Sequence, residues 1–144
     1  EARERLRRDD VDSWIDLHPV FDGVIDVMKT LNNQNRLYIA TLKDAKSVRL
    51  ILENQGLEVK KERLYDQSQI KSKLQALDRF RKKIGCSKDE MIFIDDNVTH
   101  LIGPKDAGYS VYLTIWGENM EEYLEIAKNE GILLLSDSDF LINC

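Results

Sequence analysis

No apolar run in this 144-residue chain approaches the roughly 20 residues needed to span a bilayer, which excludes a membrane-crossing helix. Cysteine is scarce. Cys86 and Cys144 stand far apart in no metal-binding or redox spacing, and both are expected to be reduced thiols in a cytoplasmic protein. There is no excess of basic charge: the net charge is −5 and the lysines and arginines are interspersed with acids, so no nucleic-acid footprint is present. The chain opens on a charged helical stretch, Glu1-Ala-Arg-Glu-Arg-Leu-Arg-Arg8, which is not the pattern of a secretory leader. Internal repeats, low-complexity tracts and long linkers are also missing. What remains is a soluble globular sequence, 42% hydrophobic and 33% charged. Its length suits one domain that buries roughly 68–70% of its unfolded surface.

Helical and strand patterns alternate along the chain. A helix is predicted from about Ala2 to Leu17, broken at His18-Pro19 because the residue before proline disfavours the α region. Val24, Val27, Met28 and Leu31 fall at helical spacing, and Asn32-Asn33 ends that helix. Leu37 to Thr41 reads as a short buried strand. A helix from Asp44 carries Val48, Ile51 and Leu52 and stops at Gly56. Leu64-Tyr65 reads as a short edge strand. A helix over Ser72 to Ile84 has Leu74, Leu77, Phe80 and Ile84 on one face and ends at Gly85. Then come a buried strand Met91–Ile94, a helix through Ala107-Gly108, a strand Tyr109–Leu113, a helix Met120–Asn129, a strand Ile132–Leu135 and a short final helix. Strands separated by helices of this length imply βαβ units and a parallel sheet, the three-layer α/β/α class.

Three places carry the residue types of a phosphate and metal site. Met91–Ile94 ends abruptly in two carboxylates, Asp95 and Asp96, with Asn97 as a helix cap. In open α/β sheets ligands bind beyond the carboxyl ends of the strands. Two acids at that edge suit Mg²⁺, which takes hard oxygen ligands and is often held by one or two carboxylates plus phosphate and water. Thr41 ends the strand Leu37–Ala40 and is followed by Leu42, Lys43 and Asp44. A hydroxyl and free backbone N–H groups at a strand-to-helix junction make a phosphate seat. Lys73 opens the helix Ser72–Ile84, at an end whose dipole is already positive. A cation placed there suggests service to an anion. Each feature alone also fits an ordinary capped turn or a solvated lysine.

Together the three stretches resemble the haloacid dehalogenase (HAD) superfamily, phosphatase branch, over residues 19 to about 140. Ile39-Ala-Thr41 is similar to the second motif of that family, a strand ending in a phosphate-binding Thr or Ser. Lys73-Leu-Gln-Ala-Leu-Asp-Arg-Phe80 followed by Gly85 resembles the third motif, whose lysine steadies the nucleophile and the phosphoryl charge; Lys71 is a second candidate. Ile92-Phe-Ile-Asp95-Asp96-Asn97 resembles the fourth motif in its paired-aspartate form. The resemblance implies a Rossmann-like core at 19–144, with 1–18 the last helix of a cap. It also implies Mg²⁺ on Asp95 and Asp96, a small phosphorylated substrate met by Thr41, Leu42, Lys43 and Lys73, and catalytic roles for Thr41 and Lys73.

The family's first motif, Asp-x-Asp on an N-terminal strand, supplies the nucleophile and the acid/base. Nothing before Thr41 reads as a buried strand ending in that pattern. Asp9, Asp10 and Asp12 lie in the charged opening helix, and Asp22 follows a turn. The resemblance therefore implies a phosphatase acting through an aspartyl-phosphate in a longer parent protein, with this chain alone inactive. The alternative is a HAD-like module that holds phosphate and metal without turnover. It also implies a gap between the strands ending at Thr41 and Asp95. The missing segment is expected to stay bound as a separate fragment, or the flanking strands to close up, or another chain to fill the slot.

Overall fold

The structure is a computed structural model that describes residues 22–115 and 121–135. The two predicted terminal helices, the cap remnant at 1–18 and Cys144 lie outside the described residues. Within them the chain alternates as expected. Helix α1 (Asp22–Asn33) leads to strand β1 (Ile39–Ala40), helix α2 (Ala45–Asn54) and strand β2 (Leu64–Tyr65). Helix α3 (Lys73–Ile84) is followed by strand β3 (Ile92–Asp95), helix α4 (Ile102–Asp106) and strand β4 (Ser110–Thr114). Helix α5 (Glu121–Glu130) and strand β5 (Leu133–Leu135) complete it. This is the α/β class, and every strand pairing is parallel.

The helix ends follow local chemistry. Asp44 caps α2 by accepting from Ser47 N at 2.8 Å, and Ser72 caps α3 by accepting from Gln75 N at 3.1 Å. Gly85 closes α3 at φ 78°, a left-handed conformation that costs glycine nothing.

The sheet comes in two pieces, β1-β2 and β3-β4-β5. One edge of β1 and one edge of β3 thus lack a strand partner among the described residues, and the flanking strands have not closed up on each other. This corrects two expectations. The strand at 37–41 is only Ile39–Ala40 and half-buried. The strand predicted at Met91–Ile94 runs one residue later and is not buried: Ile92 is 64% exposed. A strand with a neighbour on one side only cannot be enclosed as a central strand is. Ile84, predicted on the buried face of α3, is exposed in the helix's last turn.

Helix α3 spans both pieces. Its Leu77 joins Val98, Leu101, Tyr109, Val111 and Leu113 in the core over β3-β4-β5. Its Ala76 and Phe80 pack instead against Tyr38, Ala40 and Tyr65 of the β1-β2 side. Phe80 stacks on Tyr65 with ring centroids 4.4 Å apart, an arrangement that adds about 0.5–1.5 kcal/mol to simple burial. With both sheets fixed to one helix, the first residue of that helix, Lys73, arrives between the carboxyl ends of β1 and β3.

Candidate active site

Lys73 joins the two strand ends. Its Nζ donates to the carbonyl of Ala40, the last residue of β1, at 2.8 Å, and to Oδ2 of Asp95, the last residue of β3, at 3.3 Å. The ion pair is secluded, with the lysine and aspartate side chains 11% and 7% exposed. An ammonium has three protons and these contacts use two, so one remains for a third acceptor. Lys71, the other lysine considered, is exposed, and its backbone N–H donates to Gln75 Oε1.

Asp95 is held from three directions. Its Oδ2 takes Lys73 and lies 3.2 Å from His100 Nδ1, while its Oδ1 accepts from Asn97 N at 2.9 Å. Asn97 caps the turn Val98–His100, accepting from Thr99 N, and that turn carries the imidazole to the site. His100 thus sits beside the Asp95 carboxylate. Asp96, next to it, is exposed. The surrounding protein partly desolvates it, and the Asp95 carboxylate adds hydrogen bonding and repulsion, so its pKa is raised above the ordinary carboxylate value.

Thr41 lies one residue beyond Ala40. Its N–H donates to Tyr65 O at 3.0 Å, and its Oγ1 accepts from Lys43 N at 2.9 Å. The second bond fixes the hydroxyl oxygen and leaves the hydroxyl proton as the donor. The phosphate seat imagined from the sequence needs a correction here. Several amides expected to be free are engaged: Lys43 N by Thr41, Ala45 N by Asp66 Oδ2 at 2.8 Å, and Ser47 N by Asp44. Leu42 is exposed and the Lys43 side chain half-buried, at the same junction.

The geometry therefore brings Thr41, Lys73, Asp95 and Asp96 to adjoining strand ends, with Leu42 and Lys43 in the loop beyond. Sequence reasoning passed over Asp66, which stands directly after β2 as Asp95 stands at the end of β3. An acid closing a second strand was the signal. The surface depression lined by Lys29, Asn32, Glu53 and Glu58 lies at the C-terminal ends of α1 and α2 and contains none of these residues.

The family model for haloacid dehalogenase-like hydrolases matches residues 2–108, most of the chain. The chain belongs to that family. Solved structures share its fold. A hydrolase from Pseudomonas syringae superposes with a TM-score of 0.68 at 19% identity, over 97% of this chain and 66% of that one. A protein from Lactobacillus delbrueckii subsp. bulgaricus assigned as a phosphoglycolate phosphatase gives 0.63 at 15% identity, over 97% of this chain and 61% of that one. The HAD-like chain thus spans under two thirds of the length of either neighbour. No curated protein matches it. Among the described residues, no helix is long and apolar enough to cross a membrane.

Proposed function

We propose that this chain carries the phosphate- and metal-holding part of a HAD-type phosphatase centre that acts on a small phosphomonoester. The observation that carries the reading is the bridge made by Lys73. A single ammonium touches the end of β1 and the end of β3, so Thr41 and the Asp95/Asp96 pair belong to one place. The neighbour assigned as a phosphoglycolate phosphatase supports the substrate class.

In this reading the Thr41 hydroxyl donates to one phosphate oxygen and the remaining Lys73 proton to another. Two fixed donors in a partly dry site hold the phosphoryl group in place and offset its charge without reorganising. Asp95 and Asp96 are the residues that would hold Mg²⁺. Their donor set fits: two hard carboxylates side by side, one raised in pKa partly by the other, are relieved when a divalent cation joins them. When bound, the ion neutralises charge on the phosphoryl oxygens. His100 and Asn97 hold the Asp95 carboxylate in place. Leu42 and Lys43 line the substrate side of the loop.

Phosphate-ester hydrolysis is among the slowest uncatalysed reactions, with enzymes accelerating it up to about 10²¹-fold. Orientation and charge neutralisation do not reach that without a nucleophile. The described residues include no strand between β1 and β3, hence no carboxylate delivered from one. The attacking aspartate of the family's aspartyl-phosphate route is therefore supplied from outside these residues, on a strand that also pairs the two open edges. In a parent protein of that kind, acting in the cytoplasm, the centre turns over; residues 1–144 alone show little or none. A malachite-green assay on generic phosphomonoesters with Mg²⁺ tests this, and normal turnover by the isolated chain would refute it. The absence of a nucleophile-bearing strand among the described residues also favours a second reading, a HAD-like domain that binds phosphate and metal without turnover. Mg²⁺-dependent phosphate binding that persists with no product after an Asp-x-Asp strand has been restored would select it.

A further inference from the structure

Asp66 is a buried acid to which the proposed chemistry gives no part. It is 8% exposed, and its carboxylate accepts three hydrogen bonds. Oδ2 accepts from Ala45 N at 2.8 Å; Oδ1 accepts from Ser68 N at 2.9 Å and from Ser68 Oγ at 2.5 Å. A negative charge beside an anion seat weakens the seat by simple repulsion. Electrostatic complementarity therefore does not explain an acid here, whereas geometry does. The carboxylate joins two loops. Ala45 is the first residue of α2, and the segment 41–45 hangs between it and Thr41, whose own N–H is pinned to Tyr65 O. On the other side Asp66 folds the turn 66–70, its carbonyl accepting from Gln69 N and Ile70 N, and that turn leads straight into Ser72 and Lys73.

We propose that Asp66 is a positioning residue that clamps the Thr41 loop and the segment leading to Lys73 in the mutual arrangement that receives phosphate. This deepens the reading of Thr41 and Lys73 as phosphate ligands and rests on it. The clamp ordered in advance spares the anion the cost of ordering the loop on arrival, and preorganisation of this kind is a general source of affinity. The same carboxylate takes the Ala45 amide, so the N-terminus of α2 is not where the anion sits. Its pKa lies below the usual carboxylate value, chiefly through the Ser68 hydroxyl and then the Ala45 amide, in keeping with an acid that stays ionised.

The test is calorimetric titration of the 144-residue protein with inorganic phosphate and, separately, with Mn²⁺, well below the melting temperature. Asp66→Asn keeps the shape but presents an NH₂ group to one of the donors now bonded. It is expected to weaken phosphate binding about tenfold, the factor matching one charge-assisted hydrogen bond, with Mn²⁺ affinity unchanged. A purely structural role lowers the melting temperature but leaves the phosphate affinity of the folded protein where it was, and that result overturns the proposal. Should Asp66→Asn not fold, Ser68→Ala removes one of the three bonds to the carboxylate. A loss of phosphate affinity by about two- to threefold then supports the clamp, and no loss overturns it. Lys73→Met is the control. If it abolishes phosphate binding and the Asp66 variants do not affect it, only the Asp66 assignment fails. If the wild type does not bind phosphate, or Lys73→Met leaves binding intact, the site reading fails and this proposal with it.

Discussion

Replacing Lys73 by Met keeps the apolar stem and removes the charge, so its effect isolates the bridge between the two sheets. Breaking a buried ion pair by removing one partner costs about 3–5 kcal/mol, because the other charge is left uncompensated. Here Asp95 retains the Asn97 amide and the nearby His100 ring, which reduces that figure. Taking the ammonium from the first turn of α3 also relieves an unfavourable dipole contact worth about 0.3–1 kcal/mol. Against this, the Ala40 carbonyl loses its donor, at about 1 kcal/mol. The losses win, and the net is a destabilisation of about 2–3 kcal/mol. For a chain of this size that lowers the melting temperature by roughly 6–9 °C. Urea unfolding of Lys73→Met, Asp95→Asn and the double variant reads it. Removing the orphaned carboxylate should recover part of the loss, so the double variant is expected to be less destabilised than the sum of the singles by about 1–2 kcal/mol. A Lys73→Met effect below about 0.5 kcal/mol, or strict additivity, refutes the idea that this contact ties β1 to β3.

Three further outcomes follow from the same contacts. Asp96 has a raised pKa, so its ionised form opposes folding above that value; Mg²⁺ should raise the melting temperature of the wild type. Asp96→Asn should melt higher without metal and respond less to it, and an unchanged Mg²⁺ increment in differential scanning fluorimetry counts against the metal assignment. Asp66 shifts the other way. Its depressed pKa contributes stability that is present above the unfolded value of about 3.9 and is lost as pH falls through the folded value; melting temperatures from pH 7 to 3 should therefore fall more steeply for wild type than for Asp66→Asn. Parallel curves would contradict that. Gly85→Ala places a side chain at φ 78° and should cost about 1 kcal/mol by urea unfolding, although nothing lies within 4 Å of the added carbon.

The order and type of the elements could be read from the sequence because they rest on local patterns. Leu74, Leu77 and Phe80 repeat at helical spacing, and Ser72 and Gly85 mark the ends of α3. The strand-end residues were legible for the same reason: Thr41 and Asp95 each stand where an apolar run stops. Burial was less accessible. Ile92 belongs to a strand that looks central by composition, yet its exposure depends on a neighbouring strand that the described residues do not supply, and hydrophobicity alone does not report a neighbour. The occupied amides of the 41–47 loop were hidden as well. They are taken partly by Asp66, 21 residues away from Ala45, a pairing that needs the β1-β2 register before it can be seen. Choosing between Lys71 and Lys73 required the helix start, since only the residue at the first turn of α3 reaches Ala40 and Asp95.

The central claim is that the ends of β1 and β3 form one seat for a phosphate and a divalent cation. Isothermal titration of the isolated chain with inorganic phosphate, with and without Mg²⁺, addresses it most directly. The account predicts saturable binding that strengthens with Mg²⁺ and weakens at least about tenfold in both Lys73→Met and Asp95→Asn. Phosphate binding that is indifferent to Mg²⁺ and to both substitutions, or no binding at all, would contradict it.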